Sequence, residues 1–281
     1  AGAGPLRPQP GFATRLANLP TLSEAEAPLP DAAHPPCLPP ALTGNERNLG
    51  VYPVVDSADW VERVLAHGVR TVQLRIKQLA PEALREAVRR SVRSARAAGA
   101  QLYINDHWQL AIEEGAFGVH LGQEDLASAD VEAIAGAGLR LGLSTHSLWE
   151  VCRAWGLRPS YLACGPIHAT QTKDMPWLPQ GNGNLAFWSQ LLPMPVVAIA
   201  GMDAPRLRDA MRHGAAGVAL ITAITRANDP GQALATLQHA CVQGQQDRQH
   251  QPVTPPALPR STLRSGYSAA PFGVTPCSEP C

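Results

Sequence analysis

Eight short apolar runs stand along the middle of this chain, and most of the stretches between them carry helical spacing. The runs cover residues 51–55, 71–74, 101–104, 118–121, 139–143, 161–164, 196–199 and 217–221. Alternation of strand-like and helix-like segments gives a parallel sheet covered by helices. The helical signals have clean ends. Residues 81–98 begin with Pro81 in a first turn and stop at Gly99, and Asp203 can cap "APRLRDAMRH", which stops at Gly214. Eight such units predict an α/β fold, a single (β/α)₈ TIM barrel. A doubly wound open sheet is the alternative, but no glycine-rich dinucleotide fingerprint follows the first run.

The second run continues into "TVQLRIK", residues 71–77, where Val72, Leu74 and Ile76 point one way and Gln73, Arg75 and Lys77 the other. In a barrel the polar set climbs the inner wall toward the mouth at the carboxyl ends of the strands. The basic residues number 23, yet lysine occurs only at Lys77 and Lys173. Lysine is a compact point charge that binds phosphate, whereas arginine brings a planar fork.

Further polar clusters follow the other runs. "LYIND" leads into Asn105 and Asp106, and "GVHLGQED" ends in His120, Gln123, Glu124 and Asp125. "GLSTHS" supplies Ser144, Thr145 and His146, and "CGPIHATQTK" supplies Thr170, Gln171, Thr172 and Lys173. Either aspartate alone reads more readily as a helix N-cap than as a metal ligand. Beside Arg75, Lys77 and Lys173, the two carboxylates read as a Mg²⁺ site facing a diphosphate. His107, His120, His146 and His168 match no common zinc spacing and read as barrel-lining or surface residues. Gly201, before a capped helix, and Ile221-Thr222 offer backbone N–H groups after runs seven and eight, the usual phosphate position in a barrel.

Composition narrows the partners. A chain of 281 residues, 45% hydrophobic with zero formal net charge, can bury a full core and is not built mainly for nucleic acid or an anionic membrane. No stretch approaches the roughly 20 apolar residues of a membrane span. The opening "AGAGPLRPQP" lacks the apolar core of a signal peptide, and six cysteines without a CxxC pair read as reduced thiols of a cytoplasmic protein. Residues 1–48 are proline-rich and residues 244–281 are polar and proline-rich, so both are expected to be disordered extensions of a barrel domain at 49–243.

Over about residues 49 to 240 the sequence resembles the thiamine-phosphate synthase family. The motifs are "VQLRIK", "IND", "GVHLGQEDL", "GLSTHS", "GPIHATQTK", "VVAIAGM" and "GVALITAI", in that order. The resemblance implies that Gln73, Leu74, Arg75, Ile76, Lys77, Asn105, Ser144 and Lys173 bind an aminopyrimidine diphosphate. It assigns Mg²⁺ to Asp106 and Asp125, and a thiazole phosphate to Thr170, Gln171, Thr172, Gly201, Ile221 and Thr222. Arg75, Lys77 and Lys173 would stabilise the leaving pyrophosphate. The family usually has Gly-Gly where this chain has Ala200-Gly201, and often Ser at Thr222. Rival readings are a thiazole tautomerase on the same barrel, which would not need the two aspartates, and a non-catalytic regulator that binds thiamine precursors. A homo-oligomer is left open.

Overall fold

The computed structural model describes residues 37–169 and 177–262. Eight parallel strands close into a barrel in sequence order: β1 Gly50–Val55, β2 Thr71–Leu74, β3 Gln101–Asn105, β4 Gly118–Leu121, β5 Arg140–Thr145, β6 Tyr161–Cys164, β7 Val196–Ile199 and β8 Gly217–Leu220. Closure is made by β1 against β8, with Gly50 opposite Gly217 and Pro53 opposite Leu220.

Helices alternate with the strands: α1 Ala58–Ala66, α2 Pro81–Ala97, α3 Trp108–Glu113, α4 Val131–Gly136, α5 Leu148–Gly156, α6 Gly181–Leu191, α7 Ala204–Arg212, α8 Thr222–Thr225 and α9 Pro230–His250. Their ends follow the local chemistry expected of them. Pro81 opens α2, and Asp203 caps α7 by accepting from the Arg206 N–H. Gly99 and Gly214 follow their helices with φ of 61° and 103°, a backbone region that favours glycine.

Period-two alternation sorts the strand side chains into two sets. Val72, Leu74, Leu102, Ile104, Val119, Leu121, Leu141, Leu143, Leu162, Val218 and Leu220 face outward into one apolar shell under the helices. The inward set, including Tyr52, Val54, Tyr103, Tyr161, Ala163, Val197 and Ala219, forms a second cluster.

The boundaries of the domain differ from the expectation at both ends. Residues 37–48 belong to the fold: Leu42 is buried in the inner cluster, and Pro40 accepts a hydrogen bond from Ser160 at 2.6 Å. Glu46 pairs with Arg140 at 3.0 Å, beneath the foot of β5. At the other end α9 continues to His250, past the expected break at 244. Leu234, Leu237, Ala240, Cys241 and Gly244 form its buried stripe, and a Cβ at Gly244 would lie 2.3 Å from the Arg208 carbonyl. The polar run after it is exposed helix surface made of good helix formers, with Arg208 paired to Asp247 at 2.6 Å. Residues 251–262 then lie along the barrel without regular structure. The remaining parts of both expected extensions, 1–36 and 263–281, lie outside the described residues.

Candidate active site

Polar groups stand among the apolar side chains of the inner wall: Gln73, His120 and the three tyrosine hydroxyls. Gly118 and Gly142 leave the room for the tyrosines: a Cβ at Gly142 would sit 2.2 Å from the Tyr161 ring, and one at Gly118 2.7 Å from the Tyr103 ring. The rings of Tyr103 and Tyr161 meet edge to face with centroids 5.1 Å apart. Burial pushes the phenol pKa of all three interior tyrosines up, so each hydroxyl is neutral.

A chain of hydrogen bonds crosses this interior. Gln73 Nε2 donates to the Tyr52 hydroxyl at 3.4 Å, and the Tyr52 and Tyr161 hydroxyls are 2.8 Å apart. The Tyr161 hydroxyl lies 2.7 Å from His120 Nδ1, and His120 Nε2 lies 2.8 Å from Ser144 Oγ. Burial lowers the His120 pKa to about 4, so the imidazole is neutral and has one donor and one acceptor nitrogen. Every hydroxyl and ring nitrogen in this run has a partner, and either oxygen of the tyrosine pair can be the donor. Gln123 fixes Ser144 from above by donating to its carbonyl at 2.7 Å.

The charged residues stand above this floor. Arg75 is half-buried just past β2, with its N–H bonded to the Val55 carbonyl at 2.7 Å, and Lys77 is exposed two residues further on. Leu74 and Ile76 face the outer shell, whereas Gln73 joins the interior and Arg75 lies close enough to Asp106 to act on its charge. His107 Nε2 lies 3.1 Å from the Ile76 carbonyl and ties the loop after β2 to the loop after β3.

Asp106 takes a left-handed conformation, φ 64°, immediately after β3, and Asp125 reaches it from the loop after β4. Neither caps a regular helix: His107 occupies the N-cap of α3, and Asp125 Oδ2 accepts from the Gly122 N–H at 2.9 Å. Gly122 permits that approach, since a Cβ there would lie 2.9 Å from the carboxylate oxygen. Burial first, then the charge of Asp125 and a hydrogen bond to it, raise the Asp106 pKa, against the opposing charge of Arg75. Two facing carboxylates short of positive charge suit a hard cation that keeps waters and shares substrate oxygens. Among the described residues no cluster of three or more His, Cys, Asp or Glu could hold a metal. The two carboxylates offer hard oxygen donors, the chemistry that Mg²⁺ takes.

The last strands carry the other expected anion site. Ala200 and Gly201 follow β7 with φ of 78° and 68°, and a Cβ at Gly201 would lie 2.8 Å from the Ala169 carbonyl. Ala200 thus adopts at some cost the conformation for which glycine is the default. Ile221 and Thr222 open the short α8 just past β8. Asn105 is buried at the end of β3, opposite His120. Thr170, Gln171, Thr172 and Lys173 lie outside the described residues.

Sequence reasoning missed Tyr52 and Tyr161, and it placed Gln123 in the polar cluster after the fourth run without a role. The signal for the tyrosines was their inward phase in "VYPVV" and "YLAC"; nothing in the sequence marked Gln123 as a brace for Ser144.

Comparison with known proteins places the chain in a family. The family model described as thiamine monophosphate synthase matches residues 51–224. The thiamine-phosphate synthase of Yersinia pestis (strain Pestoides F) is 47% identical over 201 residues, covering 71% of this chain and 94% of that protein. That of Photorhabdus laumondii is 49% identical over 193 residues, covering 68% and 89%. Among solved structures, a thiamine phosphate pyrophosphorylase from Pyrococcus furiosus superposes with a TM-score of 0.64 at 26% identity, covering 71% of this chain and 98% of that one. With the barrel, the polar mouth and these relatives in agreement, the chain belongs to the thiamine monophosphate synthase family and is an enzyme of the transferase class.

Proposed function

We propose that this chain joins an aminopyrimidine methyl diphosphate to a thiazole phosphate, releasing pyrophosphate and forming thiamine phosphate, with Mg²⁺ held by Asp106 and Asp125. The observation that carries the reading is the pair of facing carboxylates beside Arg75, a pair whose mutual repulsion a cation would relieve.

The bond between the pyrimidine methylene and the diphosphate oxygen breaks, and its electron pair leaves with pyrophosphate. The thiazole nitrogen then gives its lone pair to the methylene carbon, and the product carries the positive charge as a thiazolium. Bound Mg²⁺ supplies charge neutralisation on the departing pyrophosphate. Arg75 and Lys77, joined by Lys173, stabilise the same growing charge, an interaction stronger in the transition state than in the ground state. Gln73, Asn105 and the Ser144 hydroxyl orient the pyrimidine; any role for Leu74 and Ile76 is through their backbone. Gly201, Ile221 and Thr222, with Thr170, Gln171 and Thr172, hold the thiazole phosphate. No general base is required, in keeping with a floor of neutral His120 and tyrosine hydroxyls.

The two aspartates weigh against a tautomerase, which has no diphosphate to neutralise. Among the described residues no helix is long and apolar enough to cross a membrane, and the partners proposed are the two small-molecule substrates, in the cytoplasm. Incubation with both phosphorylated precursors and Mg²⁺ should yield thiamine phosphate and pyrophosphate in equal amounts, and EDTA should abolish the reaction. Full turnover in metal-free buffer would remove the Mg²⁺ assignment, and no product under any condition would remove the reaction.

A further inference from the structure

Residues 251–262, "QPVTPPALPRST", lie beyond the segment that matches the family model, yet they are tied into the mouth of the barrel. α9 runs down to the foot, where Gln245 bonds Asn48 and Arg248 bonds the Gly214 carbonyl. From there the chain returns to the opposite end. Four prolines favour an extended path, bent at residues 257–258, and at about 3.1 Å per residue 12 residues could reach up to about 37 Å, against the roughly 31 Å of a 21-residue helix.

Its upper end is held by five hydrogen bonds. Arg260 N–H donates to Asn184 Oδ1 at 2.6 Å, and Asn184 Nδ2 donates back to the Arg260 carbonyl at 2.8 Å. The Arg260 guanidinium donates to the Pro179 carbonyl at 2.6 Å. The Leu178 N–H donates to the Thr262 carbonyl at 2.7 Å, and the Thr262 hydroxyl donates to the His146 carbonyl at 2.7 Å. Thr262 is only 3% exposed, on a segment whose other residues are mostly exposed.

His146 is the point where these ties meet the site. Glu150 accepts from its backbone N–H at 2.6 Å and lies 2.8 Å from its Nδ1, Trp177 stacks on its ring at 6.1 Å, and Thr262 holds its carbonyl. It stands two residues after Ser144, whose hydroxyl ends the hydrogen-bonded chain across the barrel. We infer that the segment 251–262 is a strap whose Thr262 is a positioning residue: through His146 it fixes the turn after β5 and with it the Ser144 hydroxyl that receives the pyrimidine diphosphate. The inference rests on the proposed reaction for its kinetic readout but not for its structural one.

Thr262→Val keeps the shape and removes the donor. In the full chain it should raise KM for the pyrimidine diphosphate about three- to tenfold, the range for loss of one neutral hydrogen bond, with kcat changed less than about twofold. Thr262→Ser should restore KM. Arg260→Pro, an exposed change that removes the N–H bonded to Asn184, should shift KM in the same direction. Hydrogen exchange gives a readout free of substrate: the Leu178 amide should be protected in the unmodified chain and exchange faster in Arg260→Pro. Normal KM in an active, folded Thr262→Val and Arg260→Pro would overturn the positioning role. An unprotected Leu178 amide in the unmodified chain would overturn the strap itself. A chain that makes no thiamine phosphate would defeat the reaction and leave the exchange experiment to judge the strap.

Discussion

The two faces of the barrel wall are made by the same strands and held by different forces. Outward side chains such as Leu74, Leu121, Leu141 and Leu143 bury apolar surface under helices, a non-directional interaction that accepts many shapes. Inward side chains such as Gln73, Tyr52, Tyr161, His120 and Ser144 are matched donor to acceptor, and a missing partner leaves a buried polar group unpaired. The outer face makes the barrel stable. The inner face costs stability if any member is lost.

That contrast can be broken from either side. The largest effect is expected on the outer face: Leu143→Ala, at a fully buried position, should destabilise by up to about 5 kcal/mol in urea unfolding, with activity retained in whatever fraction stays folded. A smaller cost with no cavity would mean that the shell is loosely packed.

The inner face should respond to pH where the outer face does not. His120 sits at about 4 in the fold against 6.5 in its reference state. Between those values the unfolded chain takes up a proton that the folded chain refuses. Stability is therefore full above pH about 6.5 and falls as pH drops, by at most about 1.4 kcal/mol per pH unit and about 3 kcal/mol in all. His120→Asn should flatten that slope in urea titrations at pH 7 and pH 5; an unchanged slope would assign it to other groups. The smallest effect is Tyr52→Phe, which leaves Gln73 Nε2 without its acceptor and should cost about 1 kcal/mol by the same measurement. No loss would show that the hydrogen-bonded chain is not needed for the fold.

The outer face is also the one that could be read from the sequence. Strands buried on both faces show as apolar runs, and their glycine and proline punctuation set the helices between them, so the barrel and the ends of α2 and α7 were predictable. The mouth was legible as polar clusters just past those runs, and Asp106, Asp125, Arg75 and Ser144 do gather there. The hydrogen-bonded floor was not, because an inward tyrosine and a core tyrosine have the same local sequence; only the closure of the barrel brings Tyr161 to His120. The strap was hidden for another reason. Proline-rich, polar composition resembles disorder, and what holds 251–262 is a handful of specific bonds to Asn184, Leu178 and His146, with little apolar burial.

Asp106 and Asp125 bring two like charges together in the mouth, beside Arg75. Asp106→Asn tests their proposed role most directly, because the change keeps the side chain's shape and removes one of two facing charges. The rate of thiamine phosphate formation should fall on the order of 10²-fold or more, by analogy with removal of one transition-state-stabilising group, while the melting temperature holds or rises as the repulsion with Asp125 disappears. A variant with normal turnover, or one whose lost activity is accounted for by a lowered melting temperature, would contradict the account.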